Sequence, residues 1–352
     1  MWIKSSMSAV PGPGELLARI PSLAGRRVVV LGDPVLDVYL YGTTHRISRE
    51  APVLIVREDA RESRLGGAAN AAANLAALGG TVRFVGAAGD DPGAAELSRL
   101  CAGYGIDTRE LLCVPERHTV TKTRIMAGGV HTTKQQMLRI DRENDQAPDA
   151  GVRDRLTHAA ERALADADAL VISEYGEGFL TELYSEVARR ARAAGRIVVV
   201  DSRFSLSRYH GVTAVTPNAP EAEAATGKNL ERAGDAARGA EELRARMDLE
   251  AVVLTRGREG MAVAERGSPT TLISAHGAKE AIDVTGAGDT VTATFALALA
   301  AGATVLEAAA LANCAASIAV QTIGAATVSP DQLRLAVQQL DPAAMQRFEE
   351  PR

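Results

Sequence analysis

Aromatic residues are scarce in this chain, only 3% of its residues, and there is a single Trp. Its core must therefore be assembled from Ala, Val, Leu and Ile. Cysteine is scarce too: Cys101, Cys113 and Cys314 stand far apart with no CxxC pair. That spacing excludes a disulfide framework and a cysteine zinc site. No run of ~18 apolar residues is available to span a bilayer, and the most apolar stretch, Ala293–Ala301, is short and alanine-rich. Residues 1–25 hold no apolar run of signal-peptide length, so the expected location is cytoplasmic. Basic excess is also missing. With a net charge of −5, the chain lacks the footprint of a nucleic-acid surface, and neither nucleic acid nor membrane is expected as a partner.

Absent motifs narrow the nucleotide chemistry. The chain has no GxxxxGK[ST] loop, no GxGxxG after its first strand, no HRD–DFG pair and no GxSxG elbow. Any phosphate it binds is held by another device.

What is present is an alternation of two periods. Short apolar runs at Val28–Leu31, Val82–Val85, Leu170–Ile172, Ile197–Val200 and Val252–Leu254 read as parallel strands buried on both faces. Helical patterns lie between and after them, at Asn70–Leu78, Arg153–Ala165, Thr181–Ala194, Ala236–Met247, Thr290–Ala301 and Val305–Val320. The alternation predicts an α/β fold, an open and mostly parallel sheet with helices on both faces. Residues 43–66 and 117–141 break the rhythm with alternating polar and apolar positions. They predict a small one-faced sheet outside the main core, a lid. Residues 1–25 are expected to be a flexible segment and 341–352 a peripheral polar tail.

The strongest chemical signal is Asp283–Thr290, DVTGAGDT, which opens an apolar helix. Gly286 and Gly288 leave N–H groups uncovered at a helix N-terminus, a natural anion site. A carboxylate there repels phosphate unless its task is to accept a proton, so Asp289 is a candidate general base for phosphoryl transfer to a hydroxyl. The competing reading makes Asp289 a plain N-cap. LGGAANAAAN at 65–74 offers Gly66, Gly67 and Asn70 at a small-residue helix start, suited either to a sugar or to close packing. GDPVLD at 32–37 places Asp33 and Asp37 beyond the first strand, where ligands of open α/β sheets bind. A metal pair is the competing functional reading, and an ordinary Asp–Pro turn the plain one. Asn218 and Glu221, three apart, suit Mg²⁺ held through water, or a capped helix start. TRGREG at 255–260 is a glycine-rich turn after a strand.

Taken together, in chain order from about Val28 to about Ser329, these segments resemble the ribokinase-type (PfkB-like) carbohydrate kinases. Within that family, GDPVLDVYLYG, RISREAPVLIV, LGGAANAAANLAALGG, KTRIM and QMLRID are most similar to kinases of D-glycero-β-D-manno-heptose 7-phosphate in their kinase-only form. The resemblance implies a ribokinase-like domain over 26–340, with ATP, Mg²⁺ and in many members K⁺. It implies that Asp289 is the base and that Gly286, Ala287 and Gly288 hold the transferring group. It assigns Asp33, Asp37, Gly66, Gly67 and Asn70 to the sugar, and Lys122, Arg124 and Arg139 to its phosphate. Thr255, Gly257, Gly260 and Asn313 fall to the nucleotide, Asn218 and Glu221 to Mg²⁺, and Asp283 and Thr285 to a monovalent cation. A homodimer through the lid is expected. Glu174, Glu177, Arg203 and Gln321 depart from the heptose-kinase pattern. Another sugar or nucleoside kinase of the family, or a non-catalytic sugar-binding relative, is the alternative.

Overall fold

The structure is a computed structural model and describes residues 10–129, 132–175, 179–277 and 281–348. In chain order it runs through α1 (Pro13–Arg19), β1 (Arg27–Gly32), β2 (Pro34–Ile47), β3 (Leu54–Gly67), α2 (Ala68–Ala77), β4 (Thr81–Gly89) and α3 (Pro92–Gly103). Next come β5 (Leu111–Val114), β6 (Val120–Gly128), β7 (Gln135–Arg142), α4 (Ala150–Leu164), β8 (Ala169–Glu174), α5 (Thr181–Ala193), β9 (Ile197–Ser202) and β10 (Ala214–Val215). The remainder is α6 (Ala219–Thr226), α7 (Ala233–Arg246), β11 (Ala251–Thr255), β12 (Met261–Glu265), β13 (Thr271–Ile273), α8 (Ala287–Ala300), α9 (Val305–Ala319), α10 (Pro330–Gln338) and β14 (Met345–Arg347).

Ten strands form one sheet in the order β14-β13-β12-β11-β10-β9-β8-β1-β4-β5. From β11 to β5 neighbours are parallel, and β12, β13 and β14 extend it antiparallel. The apolar runs read from sequence are these central strands, covered on both faces. One face packs α2, α8 and α9, the other α4, α5 and α7. Alanine does much of the filling, as the shortage of rings required. Every residue of α8 from Asp289 to Leu299 is buried, which is why its sequence is apolar on all sides. Strand β1 lies between β8 and β4, so chain order reverses on either side of it. The crevice beyond the carboxyl ends of β1 and β8 is the usual ligand position of such a sheet.

Three expected boundaries are corrected. Within 1–25, α1 and the turn Ile20–Leu23 are ordered parts of the core, with Leu16, Ile20 and Leu23 at 0–2% exposure. Burying each contributes roughly 1.5–3 kcal/mol, which holds the segment down. The lid is a four-stranded sheet in the order β3-β2-β6-β7, but its first strand begins at Pro34 rather than 43. Val35, Leu36, Val38 and Tyr39 are buried, so β2 leaves the main core through one residue, Asp33. In the tail, Met345–Arg347 pair with β13 as an edge strand and Met345 is buried. Residues 349–352 lie outside the described residues.

Candidate active site

DVTGAGDT folds as a turn that opens α8. Gly286 is the N-cap, with φ +77°, a conformation that strains any side chain. A Cβ there would lie 2.5 Å from Asn70 Nδ2, so glycine is what lets α2 bring Asn70 to the head of α8. Asp289 is the third residue of the helix, not its cap, and is buried. Its Oδ2 accepts from Asn70 Nδ2 at 2.7 Å, and its Oδ1 accepts from the Tyr175 hydroxyl at 2.9 Å. Burial pushes its carboxyl up to about 7, against the downward pull of the Asn70 and Tyr175 bonds; Asp37 adds to the rise and Lys122 opposes it. A carboxylate poised there suits general-base work at neutral pH. Burial and the nearby Asp289 and Asp201 charges hold the Tyr175 hydroxyl well above its usual range, so it stays a donor. Of the three N–H groups expected to meet an anion, that of Ala287 already donates to Val284 O at 3.2 Å. The expected set narrows to Gly286 and Gly288.

Asp33 and Tyr175 follow β1 and β8 at the reversal point. Asp33 accepts from the Tyr175 N–H and from the Tyr184 hydroxyl, each at 2.9 Å. Beyond them opens a cavity of about 290 Å³ whose lining includes Asp33, Arg117, Lys122, Arg139, Tyr175 and Arg203. Arg139 is paired with Asp141 at 2.9 Å. Arg117, Lys122 and Arg203 have no ion pair among the described residues. Arg117 and Tyr184 carry no local sequence signal. Only the fold brings them here.

Several expected sugar residues turn elsewhere. Arg124 shares a strand face with Lys122, but its guanidinium pairs with Asp37 Oδ1 at 2.5 Å and lies over the Tyr39 ring. Neither Arg124 nor Asp37 is among the residues lining the cavity; Asp37 is buried and Arg124 half-buried within the lid, and they neutralise each other. Gly66 lies against the Asp37 carboxylate, and Gly67 is the N-cap of α2. Asn70, expected to meet sugar hydroxyls, spends its amide nitrogen on Asp289, while its Oδ1 accepts from Asn74 at 3.2 Å.

The residues expected at the nucleotide are built into turns after β10 and β11 and into α9. Asn218 and Glu221 form the capping box of α6, each backbone N–H donating to the other's side-chain oxygen at 2.9 Å and Asn218 Nδ2 donating to Glu221 Oε1 at 2.8 Å, which is the helix-start reading. Thr255 bridges to Asn218 and donates its N–H to Pro217 O at 2.9 Å, so TRGREG does meet the Asn218 turn. Gly257 faces open space, whereas Gly260 is packed against Ile273 and Ala275. Asn313 is buried and donates to Ser274 O at 2.8 Å. Asp283 accepts from the Thr285 N–H and hydroxyl and from the Gly324 N–H at 2.7–2.9 Å. Burial acts upward on its carboxyl, but these bonds outweigh it and hold it below the usual range.

Burial raises the Glu221 and Asp201 carboxyls, and the charges of Glu221 and Asp289 raise Asp201 further. A hydrated divalent cation would relieve that repulsion, so the charge pattern fits Mg²⁺. Among the described residues no three His, Cys, Asp or Glu could hold a metal directly. Of the departures, Glu174 is buried among the hydroxyls of Thr181, Ser202 and Tyr209, and Arg203 stacks on Phe204 at the cavity. The N–H of Gln321 closes the turn after α9. Glu177 lies outside the described residues.

The model of the pfkB family carbohydrate kinase matches residues 26–332. The chain belongs to that family. As a pfkB kinase it is an ATP-dependent carbohydrate kinase. It is 39% identical over 328 residues to the bifunctional protein HldE of Paramagnetospirillum magneticum, covering 93% of this chain and 66% of that one. It is 41% identical to the HldE of Methylococcus capsulatus, covering 90% of this chain and 65% of that one. This kinase thus spans just under two thirds of the length of these relatives. Its fold matches Arabidopsis thaliana ribokinase complexed with ribose and ATP, with a TM-score of 0.69 at 20% identity over 89% of this chain and 99% of that one. It also matches phosphofructokinase-2 of Escherichia coli in complex with potassium, with a TM-score of 0.72 at 20% identity over 89% and 98%. At that identity the likeness establishes the fold. Among the described residues no helix is long and apolar enough to cross a membrane.

Proposed function

We propose that this kinase transfers the γ-phosphoryl group of ATP to O1 of D-glycero-β-D-manno-heptose 7-phosphate, giving the 1,7-bisphosphate used in ADP-heptose and lipopolysaccharide core synthesis. The observation that carries the reading is the cavity at the head of β1 and β8, lined by the cations Arg117, Lys122 and Arg203 and by Tyr175, whose hydroxyl donates to the buried Asp289. A sugar phosphate needs such a clamp, because the overall charge of −5 repels it. Asp289 takes the proton as the O1–phosphorus bond forms and the β–γ bridge breaks. The N–H groups of Gly286 and Gly288, with the α8 dipole, face the charge on the transferring group. Asp33 holds sugar hydroxyls. Glu221 and Asn218 would hold a hydrated Mg²⁺, which would supply charge neutralisation on the ATP phosphates. Asp283 and Thr285 are the proposed monovalent-cation residues, and Thr255, Gly257 and Asn313 the nucleotide side. ATP as co-substrate supports a cytoplasmic setting.

An ADP-release assay over a panel of sugars tests the substrate. Heptose 7-phosphate should exceed unphosphorylated heptose, hexose phosphates and adenosine in kcat/KM by about 10²-fold or more. Arg203→Ser should raise KM for the phosphorylated heptose about tenfold and leave the unphosphorylated sugar unchanged. A faster hexose phosphate or adenosine would replace the heptose reading.

We also propose a homodimer through the lid. Ile47, Leu54, Ile55, Leu138 and Ile140 are 38–62% exposed on its strands, apolar surface suited to a second copy. Leu138→Asp with Ile140→Asp should convert the dimer to a monomer in sedimentation; a parent that sediments as a monomer refutes it.

A further inference from the structure

Tyr175 touches two acids at once. Its main-chain N–H donates to Asp33 Oδ2 and its hydroxyl to Asp289 Oδ1, each at 2.9 Å. It does so from the wall of the cavity that a sugar must enter.

The two donors on Asp289 are held differently. Asn70 is locked. Its Oδ1 accepts from Asn74 Nδ2 at 3.2 Å, Asn74 donates in turn to Ala326 O at 3.3 Å, and the Thr290 hydroxyl donates to Asn74 Oδ1 at 3.2 Å. Tyr175 sits past the end of β8 and is one of the residues lining the cavity. With Asp289 only 3% exposed and a donor on each oxygen, an acceptor hydroxyl reaches the carboxylate by taking the place of one donor. The replaceable one is the hydroxyl of the cavity-lining Tyr175, chemically the same group as the sugar presents.

We propose that Tyr175 is a positioning residue that holds the Asp289 carboxylate in the sugar-free site and is displaced from Oδ1 by the acceptor hydroxyl. This rests on Asp289 being the general base. The carboxylate is then oriented before the sugar arrives, and its hydrogen-bond count stays constant as one hydroxyl replaces another. Because Asp33 holds the Tyr175 N–H, sugar binding at Asp33 and release of the base act on one residue.

The test is the pH dependence of Tyr175→Phe. Asp37, Lys122 and Asp201, the other charged groups that act on Asp289, are unchanged in this variant. The profile of kcat/KM reports the free enzyme and that of kcat the sugar complex. Loss of a donor to the carboxylate should move the acid limb of kcat/KM up by about half a pH unit or more. The acid limb of kcat should stay in place, since the parent Tyr175 has already left. Equal movement of both limbs, or of neither, overturns the displacement. 3-Fluorotyrosine at 175 keeps the ring and strengthens the donor, and should move the kcat/KM limb down; no movement there also overturns it. Asp289→Asn assayed alongside separates the two readings. An active Asp289→Asn removes the base and this inference with it. An inactive one beside an unmoved Tyr175→Phe removes only the displacement.

Discussion

Asp289→Asn should lower kcat by about 10²–10⁴-fold while ATP binding stays within a few-fold of the parent. The substitution keeps the shape of the side chain. Its Oδ1 still accepts from one donor, and the Tyr175 hydroxyl can turn to accept from the new amide. What is lost is the proton acceptor. The same burial that suits Asp289 to its task also makes it costly. Its folded-state value of about 7 lies above the unfolded carboxyl value of about 3.9. The folded form therefore binds more protons over that window, and the stability this brings is lost as pH rises through about 7. Asn carries no such penalty. At pH 8 the variant should be more stable than the parent, a gain that fades below pH 4. An inactive variant that melts higher at pH 8 is the signature of a strained catalytic carboxylate. A variant of near-parental activity would assign the base elsewhere, and one that melts lower would make Asp289 a structural residue. In the parent, kcat/KM should rise with pH through about 7, because only the ionised carboxylate accepts a proton.

How far this site could be read in advance depended on sequence distance. DVTGAGDT was legible because its chemistry is local: two glycines, a helix start and a carboxylate lie within eight residues. The central strands were legible because burial on both faces makes them continuously apolar. Asn70 and Tyr175 were not assigned to the base because they lie 219 and 114 residues from Asp289. No periodicity reaches that far. Arg124 shows the same limit from the other side. Alternation placed it correctly beside Lys122, but only packing reveals Asp37 beneath it. Asn218 and Glu221 illustrate ambiguity instead, since N-x-x-E reads equally as a capping box or as oxygen ligands. The N-terminal helix had a usable signal: Leu16, Ile20 and Leu23 recur at helical spacing, obscured by the Pro and Gly residues just before them.

Gly260→Ala should be severely destabilising, whereas Gly257→Ala, three residues away in the same motif, should be mild. Both glycines have positive φ, +88° and +54°. Gly257 lies in the left-handed region, and nothing stands within 4 Å of its would-be Cβ. An alanine there costs about 1–2 kcal/mol of backbone strain and adds a methyl to an open surface. Gly260 pairs its φ with ψ −129°, where side chains are scarcely tolerated. Its would-be Cβ falls 1.9 Å from Ile273 O and 2.6 Å from Ala275 N. Those are backbone atoms at the end of β13, close to the carbonyl that Asn313 anchors, and they have no rotamer into which to retreat. The turn must open, separating β12 from the end of β13, at a cost of about 4 kcal/mol or more. Thermal unfolding should show a fall of roughly 10 °C for Gly260→Ala and a much smaller one for Gly257→Ala. Since Gly257 is the one that faces open space, its methyl should act on ATP instead, raising KM for the nucleotide several-fold with the sugar KM unchanged. The reverse outcome, parental melting for Gly260→Ala with a raised ATP KM, would return Gly260 to the nucleotide site and make its packing against β13 incidental.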